Sequence, residues 1–354
     1  MTARKFVLMV YNELRKDYLL DRWVVIATER GRRPTDFAKK RSSQATTNAC
    51  PLCVGNENMT PPAVLLYLKS DDGITKDRDR DDARRKDWLI RCVPNLYPAF
   101  SPPKIQDEQI STIQSTTSFG YAVGHHEVLV ESPNHNEHPA DAELHQLTHV
   151  VNAYVDRLRK LSSKPYVRYV SIFRNHGPEA GASLSHAHSQ IIATPFVPTT
   201  IEKEIMTSRN YWSEHGKCIL CDIMQREITG PRLILDNDYF GVFTPYASVH
   251  PMEFWILPKR HNANMMDMRD DEKVAFASTL KASLRALKDV VNDPPYNFGF
   301  HLSLSREDKD CYHWHLEVYP QLAIWAGFER STGLYINTVQ PETAAEALRK
   351  AVAP

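Results

Sequence analysis

Between Ser185 and Ile192 the chain reads Ser-His-Ala-His-Ser-Gln-Ile-Ile, so that His186, His188 and Gln190 alternate with small or apolar residues ahead of Pro195. Alternation with period two is the mark of a strand, and it turns all three polar side chains to one face. An imidazole can attack phosphorus or carbon, ligate a metal or shuttle a proton, and two imidazoles side by side can divide such tasks. A neutral imidazole that attacks a phosphoryl centre forms a phosphoramidate, which can be passed to a second acceptor. Gln190 cannot act as a base, so its amide is suited to hydrogen-bonding a phosphoryl oxygen.

A second chemistry lies in the cysteines. Four of the six fall in two tight pairs, Cys50-Pro-Leu-Cys53 and Cys218-Ile-Leu-Cys221. In a chain whose N-terminal apolar run is too short for an export signal, that spacing favours a metal knuckle over a disulfide and implies a reducing cytoplasm. Zinc takes four ligands in a tetrahedron, and a Cys-x2-Cys turn supplies two of them. Cys92 and Cys311 read as ordinary, partly buried thiols.

The elements that must position these residues occur twice. After Cys53 come Leu89 to Pro98, a segment from His126 to His135, a helical stretch from Asp141 to Leu161, a strand from Val167 to Phe173, and His186-Ala-His188. After Cys221 come Arg232 to Pro245, Met252 to His261, a helical stretch from Asp271 to Val291, a strand from Phe298 to Leu304, and His313-Trp-His315. Glu127 to His135 and Glu253 to His261 are both 8 residues, while His135 to His186 is 51 and His261 to His313 is 52. Apolar residues at helical spacing (Leu147, Val151, Tyr154, Leu158; Phe276, Leu280, Leu284, Leu287) support both helices. The expected fold is α+β: two tandem units, each an antiparallel sheet with a packed helix, spanning residues 1–198 and 199–354 with a seam near Thr199 to Gly216. The repeat nominates Cys50, Cys53, His135 and His186 as one metal site and Cys218, Cys221, His261 and His313 as the other. His125, His126 and His138 compete with His135, which the shared spacing from the two glutamates favours. Four protein ligands close each site, so both zinc ions would be structural.

Composition narrows the partners. The 354 residues hold 43 Lys plus Arg against 43 Asp plus Glu, a formal net charge of zero that argues against a general binder of nucleic acid or membrane surfaces. Asp71 to Asp87 carry seven acids and six bases and read as a solvated loop.

The His-x-His-x-Gln strand with its two apolar followers resembles the histidine-triad superfamily, and within it the galactose-1-phosphate uridylyltransferase family, which has glutamine where the superfamily's hydrolases have a third histidine. The resemblance spans nearly the whole chain. It implies that His188 becomes nucleotidylated and that Gln190 stabilises the intermediate. It further implies phosphate contacts from Arg30 and Arg33, nucleotide or phosphate contacts from Asn95 and Asn175, and a phosphoryl contact at Gly181-Ala-Ser183. Phe328 and Glu329, in Ala-Gly-Phe-Glu, would read the hexose hydroxyls. Many uridylyltransferases have tyrosine at the position of Phe328, whereas the related ADP-glucose phosphorylases share the Gly-Phe-Glu form. The implied reaction is double displacement on a nucleoside diphosphate hexose: UDP-glucose with galactose 1-phosphate as acceptor, or ADP-glucose with inorganic phosphate. A non-catalytic zinc module that binds nucleotides is the reading from another class. The family implies a homodimer and allows iron in one of the metal sites. His313-Trp-His315-Leu-Glu317, with a carboxylate in place of Gln190, is expected to be a structural copy that contributes hexose contacts.

Overall fold

The computed structural model describes residues 12–27, 50–71, 73–81, 83–103 and 121–352. Arg30 and Arg33 lie outside them. In chain order the elements are β1 (Glu13–Lys16), β2 (Trp23–Ile26), β3 (Leu65–Ser70), β4 (Gly73–Asp77), β5 (Trp88–Pro94), β6 (His125–Val130), α1 (Leu144–Ser162), β7 (Tyr169–His176) and β8 (His188–Thr194). There follow α2 (Thr199–His215), α3 (Ile219–Glu227), β9 (Leu233–Asp236), β10 (Phe240–Phe243), β11 (Phe254–Pro258), α4 (Asp270–Val291), β12 (Tyr296–His301), β13 (His315–Pro320), α5 (Gly327–Thr332), β14 (Tyr335–Asn337) and α6 (Pro341–Val352).

Eleven strands form one antiparallel sheet in the order β4-β3-β5-β6-β8-β7-β12-β13-β11-β10-β9. Reading outward from the central β7–β12 pair, β8, β6 and β5 on one side match β13, β11 and β10 on the other. This is the pseudo-symmetric tandem α+β architecture expected from the repeat. The two units share a continuous ladder, with Tyr296 opposite His176 and Phe298 opposite Arg174. The stretch expected as a seam is occupied by α2, whose C-terminus is closed by Gly216 at φ 67, the left-handed conformation that favours glycine.

Side-chain alternation assigns the two faces. Ser189 Oγ lies 2.5 Å from the Tyr154 hydroxyl of α1, so Ser189, Ile191 and Ala193 face the helices. Ile191 and Ala193 join the main core with α1, α4 and α6, and burial of this apolar area is the main stabilising term. His188 and Gln190 consequently face the other way. Gly124, just ahead of β6, permits close approach to β8, since a Cβ there would sit 2.1 Å from the Ala193 carbonyl oxygen.

Two expectations are corrected by the sheet. Within the charged run, Gly73–Asp77 forms the edge strand β4, and Asp79 is buried against Arg91 at 3.2 Å; only part of the run is a solvated loop. The equal spacing from Glu127 and Glu253 does not reflect structural equivalence. Val128 pairs with Gln190 and Trp255 pairs with Glu317, so Glu253 occupies the place of His126, one residue out of step with Glu127. A one-residue slip changes the face. Glu127 meets Arg157 of α1 at 2.7 and 2.5 Å, whereas Glu253 faces the opposite side and accepts the Val249 and His250 N–H groups at 2.7 and 2.9 Å.

Candidate active site and metal centres

His188 opens β8, and its imidazole is fixed by its own strand: Nδ1–H donates to the His186 carbonyl at 2.7 Å. That bond assigns the proton to Nδ1 and leaves the Nε2 lone pair free. Burial holds the ring below the usual imidazole range, with Arg174 adding to the effect, so it is neutral and nucleophilic at neutral pH. Beneath it Arg174, fully buried, donates to the His188 carbonyl at 3.1 Å and pairs with Glu131 at 3.1 Å. Glu131 in turn accepts from the Ser189 hydroxyl and from Tyr154 at 3.3 Å. This network clamps the start of β8 from the helix face.

Around that strand gather several residues nominated from sequence. Gln190 Oε1 lies 2.8 Å from His126 Nε2, and Asn95 Nδ2 lies 3.1 Å from the same atom. Asn175 stands two residues beyond the Phe173–Gln190 pair, alongside His188. Its Oδ1 accepts from Asn297 Nδ2 at 2.8 Å, which leaves its own amide nitrogen for a ligand. Gly181, at φ 83, closes the turn after β7, and a Cβ there would come within 3.8 Å of Asn175 Nδ2. Ser183 is exposed in the segment that leads into His186. Phe328 and Glu329 are elsewhere. They lie in α5, which runs into β14 of the separate sheet β1-β2-β14. Glu329 accepts from the Ala326 N–H at 3.0 Å, and neighbouring Trp325 packs on His250. β13, where the adjoining cavity of about 310 Å³ is lined by Glu317 and Tyr319, is three strands from β8, roughly 14 Å.

The two cysteine clusters are assembled as the repeat predicts. Ligand atoms of Cys50, Cys53, His135 and His186 lie within 4.8 Å of one another, as do those of Cys218, Cys221, His261 and His313. Cys53 Sγ is 3.2 Å from His135 Nδ1 and 3.5 Å from His186 Nδ1, and Cys50 Sγ is 3.8 Å from His186 Nδ1. The corresponding distances from Cys221 to His261 and His313 are 3.3 and 3.5 Å. A tetrahedral zinc with ordinary bond lengths separates sulfur from nitrogen by about 3.6 Å. The donor sets therefore fit a metal. Three of the four histidines also place Nε2 beside an oxygen that fixes the ring: Ser132 O at 2.8 Å for His186, Ser185 Oγ at 2.9 Å for His135, and Lys309 O at 2.8 Å for His261. His313 Nε2 is buried without such a partner. Burial pushes the His186 imidazole down to about 4, which keeps it in the neutral form that binds metals. The competitors are engaged elsewhere: His125 with Tyr166, His126 with Gln190, and His138 with Arg174.

Sequence reading missed a third buried cluster, Glu204, His301 and His315, whose ligand atoms also fall within 4.8 Å. His301 stands opposite His315, as Asn175 stands beside His188. Its Nδ1–H faces both Glu204 oxygens at 3.0 and 3.1 Å, and its Nε2–H faces the Tyr319 oxygen at 3.1 Å. Tyr319 donates onward to Glu317 at 2.5 Å. Although burial opposes the charge, the carboxylates of Glu204 and Glu317 raise His301 to about 9, and the cluster is an imidazolium held between acids. No short motif signals it, because its members come from α2, β12 and β13.

A family model described as a domain of unknown function (DUF4921) matches residues 104–353. ADP-glucose phosphorylase of Arabidopsis thaliana is 34% identical over 96% of this chain and 92% of that protein. Galactose-1-phosphate uridylyltransferase of Thermotoga maritima is 30% identical over 96% of this chain and 98% of its own length. The chain belongs to the galactose-1-phosphate uridylyltransferase family. Its fold agrees with that family: the crystal structure of an Arabidopsis thaliana ADP-glucose phosphorylase with bound ADP-glucose has a TM-score of 0.78 at 30% identity, covering 96% of this chain and 98% of the other. A solved uridylyltransferase has a TM-score of 0.71 at 28% identity, with coverage of 96% and 98%. Family members carrying these names are enzymes.

Proposed function

We propose that the protein is a nucleotidyltransferase that acts on nucleoside diphosphate hexoses through a nucleotidyl-His188 intermediate. The observation that carries this reading is His188 itself, with Nδ1 tied to the backbone of its own strand, Nε2 left free, and Gln190 two residues on along the same face of β8. The Nε2 lone pair attacks the α-phosphorus as the bond to the bridging oxygen breaks, and hexose 1-phosphate leaves with that electron pair. An acceptor phosphate oxygen then attacks the same phosphorus, and the P–N bond breaks to restore His188. Gln190 donates a hydrogen bond to a phosphoryl oxygen. Asn95, Asn175, Gly181 and Ser183 line the nucleotide path, and Arg30 and Arg33 are proposed for the phosphates.

In the first version the donor is UDP-glucose and the acceptor galactose 1-phosphate. A second version, ADP-glucose cleaved by inorganic phosphate, is favoured by Phe328 and by the higher identity and TM-score of the Arabidopsis relatives. The two clusters of cysteine and histidine would each hold a zinc ion, or iron in one of them, as a closed structural site that holds the strand ends in place. Residues 1–198 form the catalytic unit and 199–354 the unit that carries α5. Phe328 and Glu329 read the hexose from a second copy of the chain. In support, Ile324 is 94% and Phe328 48% exposed, and neither Phe328 nor Glu329 joins the group around His188. A reducing, cytoplasmic setting fits six free cysteines. No helix among the described residues is long and apolar enough to cross a membrane, and neither a membrane nor nucleic acid is proposed as a partner.

The test is the mass of the intact protein after exposure to UDP-glucose or ADP-glucose. A uridylyl or adenylyl increment that disappears in H188G is the expected result and names the base. Release of that increment by galactose 1-phosphate or by inorganic phosphate names the acceptor. No increment with either donor would sink the reading and leave the non-catalytic zinc module in its place.

A further inference from the structure

We infer that His126 is a positioning residue that sets which end of the Gln190 amide meets the phosphoryl group. The inference rests on the nucleotidyl-transfer reading and adds a residue to it. His126 lies on β6, diagonally across from Gln190, since it pairs with Ile192 while Val128 pairs with Gln190. Its Nδ1 receives the backbone N–H of Ala99 at 3.1 Å. A backbone amide can only donate, so Nδ1 carries no proton and, in the neutral ring, Nε2 does. The acceptor within reach of Nε2–H is Gln190 Oε1 at 2.8 Å.

Asn95 Nδ2, at 3.1 Å from the same nitrogen, is itself fixed as a donor. Its Oδ1 is taken by the Tyr97 N–H at 2.9 Å, so the amide cannot turn to accept from His126. Two donors do not bond each other, and the 3.1 Å approach is a packing contact that leaves the Asn95 hydrogens without an acceptor on the ring. With Gln190 Oε1 held by His126, the Gln190 Nε2 hydrogens are the end presented to a ligand. The reverse orientation would aim a carbonyl oxygen at an anionic phosphoryl group. A fixed chain of backbone donor, imidazole and amide therefore aims the phosphoryl donor before substrate arrives, which is electrostatic preorganisation.

The second unit provides an internal control. By strand register Glu253 stands in the place of His126 and Glu317 in the place of Gln190. There the pair is two carboxylates, with no amide to orient and no imidazole to orient it.

The experiment is a double-mutant cycle on the rate of His188 nucleotidylation in a single turnover, with UDP-glucose or ADP-glucose as donor, whichever labels the wild-type chain. Q190A removes the donor and is expected to slow labelling by about 10²–10³-fold. H126F keeps the ring volume but not the proton, and loss of orientation alone is expected to slow labelling by roughly tenfold, with nucleotide-sugar affinity changed less than threefold. H126F is expected to cost nothing further in the Q190A background, because a residue that acts through another is silent once that other is gone. Labelling of H126F at the wild-type rate, or losses that multiply in the double variant, would overturn the inference. The wild-type protein offers an independent check that needs no variant to fold: nitrogen NMR of its histidines should show His126 protonated at Nε2, and a proton on Nδ1 would equally overturn it. A wild-type chain that takes no label yet shows the Nε2 proton would refute the transfer chemistry and leave the hydrogen bond standing, so the two failures are distinguishable.

Discussion

His135 and His186 show how much a single position can carry. Both turn Nδ1 toward Cys53 and hold Nε2 beside a protein oxygen, an arrangement that orients a ligand before the ion arrives. Elemental analysis of the intact protein is expected to give two metal ions per chain, and C53S is expected to lose one of them. Because the ion would tie the turn at Cys50–Cys53 to residues more than eighty positions away, its removal by a chelator is expected to lower the melting temperature cooperatively. Retention of both ions in C53S would exclude Cys53 as a ligand. The ligand types were legible in the sequence because cysteine and histidine at fixed spacings have few other uses. The role of His126 was not, because a histidine's partner is set by the strand opposite, which the linear order does not reveal.

At the scale of elements, β8 depends on what lies behind it. Arg174 and Glu131 are both nearly inaccessible, and their ion pair holds the strand that carries His188 through the His188 carbonyl and the Ser189 hydroxyl. Removing one member of a buried pair leaves an uncompensated charge, which costs about 3–5 kcal/mol, whereas replacing both with apolar residues is often close to neutral. R174M should therefore unfold at markedly lower denaturant concentration than wild type, and R174M/E131L should recover most of that loss. A double variant as unstable as the single one would show that the pair's geometry, and not its charge balance, supports the strand. The helices α1 and α4 were readable from their 3.6-residue apolar periods. The register between strands was not: equal spacing from Glu127 and Glu253 suggested one equivalence, and the ladders give another, since each sequence interval is blind to a one-residue slip that reverses the face.

For the whole molecule, the consequential fact is that Trp325, at the entry to α5, packs on His250 beside the cavity lined by Glu317 and Tyr319 of β13, three strands from the β8 that carries His188. If a second copy supplies Phe328 and Glu329, the working unit is a dimer with composite sites. Light scattering should report twice the mass of the 40.5 kDa chain. Mixing H188G chains with E329A chains, each inactive alone, should restore measurable turnover, because half of the mixed dimers' sites would draw His188 and Glu329 from intact chains. Absence of any restoration in a mixture shown to exchange subunits would place both residues in the same chain's site.

The sequence alone determined the repeat and the two sets of cysteines and histidines that the fold gathers within 4.8 Å, and it nominated His188 as the reacting histidine. Each depends on residue types whose chemistry is narrow and on spacings that the chain itself records. Only the tertiary structure decided which polar groups face one another: that His126 meets Gln190 and not a metal, that Arg174 lies beneath His188, and that Glu204, His301 and Tyr319 form a buried charged cluster. Those pairings follow from strand order, register and the packing of α1 and α2, and hydrogen bonds acting over about 3 Å select among neighbours that folding alone brings together.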